Sequence, residues 1–363
     1  MSKALMLEKP KGIRLVDTDI HERVQYADLL PYLEDPWRRY ILDCEWKQEK
    51  HLPYTQPAIA GLDRADARLS DGRPAGSDLD FMKQQLLDSG GHEFGILTGA
   101  LDPSPSSMNG WYEMGAALAS AYNDWQIEHW LERDERLYGS VHIAAKDVQT
   151  AVREIHRVGS HPKMVQVLLP LDDTLWGDPY YHPIFEAAVQ HRLAVGMHHN
   201  EPPVYYGKFP RYFIEWHTMI PTAHMMQVTN LVFNGVFEKF PALKVLMIEG
   251  GFTFAPFLMR KMDEQYRHLR HEVPWIKRMP SEIIRNHIRF TTQPMDEMNR
   301  KDFMRVIEGL ESEDMICFST DYPHWDYDSP IRALPSLDFP LKEKIYSTNA
   351  KAMYEKLPGG GRQ

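Results

Sequence analysis

Short apolar runs alternate with longer amphipathic stretches along most of the chain. Strand-like runs occupy residues 13–19 (IRLVDTD), 93–99 (EFGILTG), 137–144 (LYGSVHIA), 164–170 (MVQVLLP), 193–198 (LAVGMH), 244–249 (KVLMIE), 288–293 (IRFTTQ) and 315–320 (MICFST). Helical periodicity follows most of them, as at 111–134, 184–192, 253–272 and 301–310. Strands alternating with helices imply parallel pairing through right-handed crossovers. Eight such units fit a closed (β/α)8 TIM barrel, an α/β fold, better than an open sheet. An open doubly wound sheet would want a glycine-rich phosphate turn after its first strand, and DTDIHERV (17–24) is nothing of the kind.

Two stretches break the rhythm. Residues 40–92 are rich in Asp, Arg, Gln, Pro and Gly, with no clear strand, and read as a long excursion after strand 1 that serves as a lid or subunit contact. Residues 199–218 (HNEPPVYYGKFPRYFIEWHT) read as an aromatic insertion after strand 5. The barrel is expected to span 13–352, and the tail 357–363 (LPGGGRQ) to be flexible. No repeat or composition shift marks a second domain, so the whole chain, 1–363, reads as one domain.

Composition narrows the partners. The chain is 43% hydrophobic and 25% charged, an ordinary globular balance, and its formal net charge of −10 argues against nucleic acid. Two cysteines, Cys44 and Cys317, form no metal-binding Cys-x-x-Cys and no disulfide framework. No signal peptide and no run of about 18 apolar residues is evident, so a cytoplasmic protein without a membrane partner is expected. The aromatic insertion and the excursion, partly exposed in a monomer, predict a homodimer or larger homo-oligomer.

The chemistry is expected where barrel strands end. Strand 1 ends in Asp19-Ile20-His21, strand 5 in His198-His199, strand 6 in Glu249, strand 7 in Gln293, and strand 8 in Asp321 followed by His324. A lone histidine at a strand end is more often structural than a ligand, and an Asp there is more often a helix cap. The coincidence of carboxylates and imidazoles at one end of several strands points instead to a divalent cation with mixed nitrogen and oxygen ligands.

The stretches DTDIH, NGVFEKFPALKVLMIEGGFTFAPFLMRKMD (234–263) and FSTDYPHWD (318–326) resemble the amidohydrolase-related family, the branch that includes aminocarboxymuconate-semialdehyde decarboxylase. The resemblance covers 13 to about 352. It implies a (β/α)8 barrel, one divalent metal ion (zinc or manganese) and a small-molecule substrate with a carboxylate or a ring. Carried over by position, it implies Asp19, His21, His198 and Asp321 as metal ligands. The family's first strand usually ends His-x-His, so Asp19 is a departure, and an oxygen ligand there makes manganese plausible beside zinc. Many relatives carry a histidine where this chain has Glu249. His224 is expected to take over that imidazole's acid–base role, with Glu249 orienting it or a water. His324, His199 and Gln293 are expected on the substrate side. The resemblance implies non-oxidative decarboxylation of a small aromatic or unsaturated acid ahead of hydrolysis of an amide, lactone or ester, in which Asp321 would take a proton from water. Hydration of a double bond and a metal-free binding barrel are the remaining readings.

Overall fold

The computed structural model describes residues 12–43, 63–99, 111–199 and 211–361. Eight parallel strands form one sheet in sequential order: β1 (Leu15–Ile20), β2 (His92–Leu97), β3 (Leu137–Val141), β4 (Met164–Leu171), β5 (Ala194–His199), β6 (Val245–Ile248), β7 (Ile288–Thr291) and β8 (Ile316–Cys317). The longest register joins β4 to β5, from Gln166 opposite Ala194 to Leu171 opposite His199. The ends of β8 and β1 close the ring. Thr18 N donates to Phe318 O (3.1 Å), Asp321 N to Asp19 O (3.1 Å) and His21 N to Tyr322 O (2.7 Å). This is the (β/α)8 barrel expected from the strand–helix alternation.

Alternation along the strands separates two packed layers. Val195 and Met197 of β5, with Val245 and Met247 of β6, belong to the large cluster that includes the helices. Ala194, Leu246 and Ile248 belong to a second cluster with Val16, Ile96, Val165 and Cys317. The chain's end joins this inner cluster. Tyr354 and Leu357 are buried, and Tyr354 Oη donates to Gln166 Oε1 at 2.8 Å. The tail expected to be flexible from 357 therefore packs at its start, because Leu357 has an apolar layer to enter.

The excursion carries a helix of its own. Residues 79–88 are helical, Leu79–Met82 as an α-helix and Lys83–Asp88 as a π-helical continuation. The Asp78 side chain accepts from Phe81 N (2.9 Å) and starts that helix. The Pro residues and most of the Gly and Asp of the excursion lie before or at this cap, and this composition hid the apolar positions Met82, Leu86 and Leu87 behind it. Upstream, residues 63–77 lie against the β1 and β8 ends: Arg64 N donates to Pro323 O (2.9 Å) and Arg23 N to Gly76 O (3.0 Å). Gly76 has φ +79°, and a Cβ there would come within 2.5 Å of His21 O. Part of the excursion, 44–62, lies outside the described residues, as does 200–210 of the aromatic insertion. The rest of that insertion is regular: β5 runs through His199, and residues from Phe213 onward open a helix to Phe233. Among the described residues, no helix is long and apolar enough to cross a membrane.

Candidate metal centre

Each strand end delivers a polar side chain to the barrel mouth, and local bonding fixes how it points. On β1, the Asp19 carboxylate accepts from Thr98 Oγ1 (2.7 Å) through Oδ1, leaving Oδ2 buried with no hydrogen-bond partner. Beneath it, Asp17 ties β1 to β8, accepting from Thr320 N (3.0 Å) and Thr320 Oγ1 (2.6 Å). His21 Nδ1 lies 2.7 Å from Gly99 O. Donation to that carbonyl leaves Nε2 as a free lone pair facing the mouth, the arrangement that prepares a histidine to bind a metal.

Two carboxylates arrive on strained backbone. Glu249, after β6, has φ +57°, and Asp321, after β8, has φ +58°. A non-glycine residue enters this left-handed region only when its surroundings hold it there, and such positions cluster at functional sites. Glu249 N donates to Thr291 Oγ1 (2.9 Å). Asp321 Oδ2 accepts from Gln293 Nε2 (3.2 Å), and its Oδ1 lies 2.9 Å from His21 Nε2 and 2.6 Å from His324 Nδ1. His324 stacks on His21, with ring centres 4.3 Å apart.

The expected ligands do converge, with an addition. Ligand atoms of Asp19, His21, His198 and Glu249 all lie within 4.8 Å of one another, as do those of His21, Glu249, Asp321 and His324. Asp321 thus joins through His21 and Glu249, and Glu249, expected only to orient a neighbour, belongs to both groups. Buried atoms without a hydrogen-bond partner meet here: Asp19 Oδ2, His21 Nε2, His198 Nε2, Glu249 Oε2 and Asp321 Oδ1. A buried polar atom left without a partner is costly, and a shared set of such lone pairs is what a cation satisfies. Nitrogen and oxygen donors in this mixture fit a divalent transition metal.

Burial raises the Asp19 carboxyl to about 7 and lifts Asp321 well above the usual carboxylate range, in both cases with help from the Glu249 charge. Burial lowers His21 to about 3. His198 moves the other way, to about 9: burial opposes its charge, and the Glu249 carboxylate 2.8 Å from its Nε2 overcomes that. Glu249 is held well below the usual range against its burial by His199 and His198.

His199 Nε2 is 2.8 Å from Glu249 Oε1. The Glu249 oxygens therefore face His198 and His199; of the two expected roles of Glu249, orienting His224 or orienting a water, the first has no hydrogen bond here. The reason is geometric: His224 lies fully buried with its ring against Gly250, where a Cβ would come within 2.4 Å of it. Neither ring nitrogen of His224 has a hydrogen-bond partner, and burial lowers it to about 3. Two groups at the mouth escaped the sequence reading, His217 and Asp326, whose His217 Nε2 and Asp326 Oδ2 are 3.0 Å apart. They lie 109 residues apart in the chain, so no spacing could have joined them.

A family model described as Amidohydrolase matches residues 16–356. The 2-amino-3-carboxymuconate-6-semialdehyde decarboxylase of Dictyostelium discoideum is 23% identical over 209 residues, 57% of this chain and 56% of that protein. The chain thus matches little more than half the length of this relative. The amidohydrolase of Mycobacterium avium subsp. paratuberculosis K-10 superposes with a TM-score of 0.72 at 19% identity, over 94% of this chain and 97% of that one. The 5-carboxyvanillate decarboxylase of Novosphingobium aromaticivorans, solved with manganese and 4-hydroxy-3-methoxy-5-nitrobenzoic acid, superposes at 0.68 and 17% identity, over 95% and 97%.

Proposed function

We propose, from the premise that the chain belongs to the amidohydrolase family, that it is a metal-dependent carboxy-lyase. Its reaction is non-oxidative decarboxylation of a small aromatic or unsaturated carboxylic acid. The observation that carries this reading is the meeting of buried, unpartnered lone pairs from Asp19, His21, His198, Glu249 and Asp321 at the barrel mouth. Asp19, His21, His198 and Asp321 would hold one divalent ion, manganese in preference to zinc, with Glu249 beside them. When bound, that ion supplies a Lewis acid that neutralises and orients an anionic substrate.

The chain's own residues supply the rest. Gly99 O fixes His21, Thr98 fixes Asp19, and Gln293 fixes Asp321, so the donors are set before substrate arrives. The rings of Phe213, Trp216 and Trp325 stand beside the site, with His199 edge-on to Trp216 at 5.0 Å. A planar acid suits such a wall, and an apolar wall keeps water from the carbon that must be protonated. His199 and His324 face this side and suit substrate contact. His224, buried and neutral, suits packing under Gly250 better than proton donation.

The test is to load the full chain with manganese and supply hydroxylated benzoic acids, 5-carboxyvanillate among them, following CO2 release. Release of one CO2 per acid consumed is expected. Hydrolysis of lactones or amides with no CO2 from any acid would overturn the decarboxylase reading in favour of hydrolysis.

A further inference from the structure

We propose that His217, held by Asp326, is a catalytic residue of this site: the imidazolium that protonates the substrate carbon. The inference rests on the decarboxylase reading and names a group which that reading leaves open. Decarboxylation of an aromatic acid needs a proton donor as well as an anchor for the anion.

Besides His217, the described imidazoles near the mouth face other groups or are buried, His142 after β3 among the buried ones. His21 lies between Gly99 O and Asp321, and His198 and His199 face Glu249. His324 lies against Asp321, and His224 is sealed under Gly250. His217 pairs instead with Asp326, a carboxylate outside the two groups of candidate ligands around His21. Its side chain keeps 21% of its surface accessible, against 4% for His21. A donor must reach both substrate and solvent, and His217 can.

Its placement is built. Asp326 Oδ2 accepts from Gln293 Nε2 (3.0 Å), and the same nitrogen donates to Asp321 Oδ2 (3.2 Å). One amide thus joins the dyad to the candidate ligand Asp321. Phe213 lies nearly parallel to the His217 ring at 5.7 Å and the tilted Trp325 ring at 5.5 Å, and these two rings are 6.3 Å from each other, so the imidazole belongs to a three-ring cluster. Ligand atoms of His217, Asp326 and Glu249 lie within 4.8 Å of one another, which places the dyad at the edge of the metal centre. The Asp326 carboxylate favours the charged ring, as in other carboxylate-held imidazoles.

The step balances. The ring carbon bearing the carboxylate takes a proton from His217 and forms a C–H bond. The bond to the carboxyl carbon then breaks, its electron pair returns to the ring, and CO2 departs. Neutral His217 regains a proton from water at the mouth, and Asp326 keeps the ring oriented throughout.

The experiment compares manganese-loaded wild type, His217→Gln and His217→Ala on 5-carboxyvanillate and related hydroxybenzoates. Both variants should lose kcat by roughly 10²–10⁴-fold with KM changed much less, the usual worth of an acid–base group. Manganese content and melting temperature should match wild type. Added imidazole should restore part of the rate of His217→Ala and none of the rate of His217→Gln, whose side chain fills the space. Wild-type turnover by both variants would overturn the inference alone. Two manganese ions per wild-type chain, falling to one in His217→Gln, would overturn it in favour of a second cation site. A wild type inert towards every acid would overturn the decarboxylase reading and this inference with it.

Discussion

Glu22 tests whether the metal centre is prepared from behind. Its buried carboxylate accepts from Gly99 N at Oε2 (3.0 Å), and from Tyr122 Oη (2.7 Å) and Gln126 Nε2 (2.5 Å) at Oε1. Gly99 then presents its carbonyl to His21 Nδ1 at 2.7 Å. Gly99 sits at φ +76°, and a Cβ there would meet Tyr122 Oη at 2.5 Å, so the peptide has little room to move. In Glu22→Gln the amide can keep its oxygen for Tyr122 and Gln126 only by turning its NH2 towards the Gly99 N–H, donor against donor. One buried donor then lacks a partner, at about 1–3 kcal/mol. If the loss falls on His21 orientation, manganese should bind roughly 10–100-fold more weakly, the usual worth of a group behind a ligand and about 1.4 kcal/mol per tenfold. Titration calorimetry of metal-stripped full chain measures it. Tyr122→Phe is the control, because it removes a donor to the same carboxylate without opposing Gly99, and it should shift the affinity by much less. Unchanged affinity in Glu22→Gln, or an equal loss in both variants, would refute the route through Gly99.

His198→Ala should abolish stoichiometric manganese binding. It should also erase the rise in melting temperature that metal gives wild type, since that rise is mass action on the folded state; a variant that keeps both removes His198 from the ligand set. Stability should fall on acidification through the buried His142, which burial lowers to about 3. The unfolded imidazole takes a proton below about 6.5 and the folded one does not, so this contribution is present above about 6.5 and is lost as pH drops towards 3. Between pH 6.5 and 5 the loss is roughly 2 kcal/mol, and urea midpoints at pH 7 and 5 should differ less in His142→Gln than in wild type. Equal pH dependence in the two proteins would show that His142 is protonated, or reached by water, in the folded state.

The barrel was legible because its signal is local. Each strand is a short apolar run, and a run reads the same wherever the chain carries it. Strand ends were legible for the same reason, so Asp19, His21, His198 and Asp321 could be named; Asp19 and His198 fall in one group of possible ligands and Asp321 in another, with His21 and Glu249 common to both. Pairings across the barrel were not. The Asp78 cap and the apolar positions behind it lay hidden under the Gly- and Pro-rich composition of the excursion. The Leu357 tail looked mobile because the apolar layer it enters is assembled from strands far away in sequence.

Glu249 reaches other imidazoles than the one that chain order suggests. A carboxylate where relatives carry an imidazole suggested that a nearby histidine must compensate, and His224, next on the chain before β6, was the obvious choice. The decisive quantity is which ring the carboxylate can reach. With Glu249 at φ +57° its oxygens reach His198 and His199, while Gly250 leaves room only for the flat of the His224 ring. A negative group at that position strengthens the hold on a cation but donates no proton as long as His198 and His199 keep it ionised. The proposed donor is instead an imidazole whose own carboxylate lies outside the two groups around His21. His217 with Asp326 meets that condition, on the same helix as His224 but about two turns nearer its N-terminus, and partly exposed where His224 is buried.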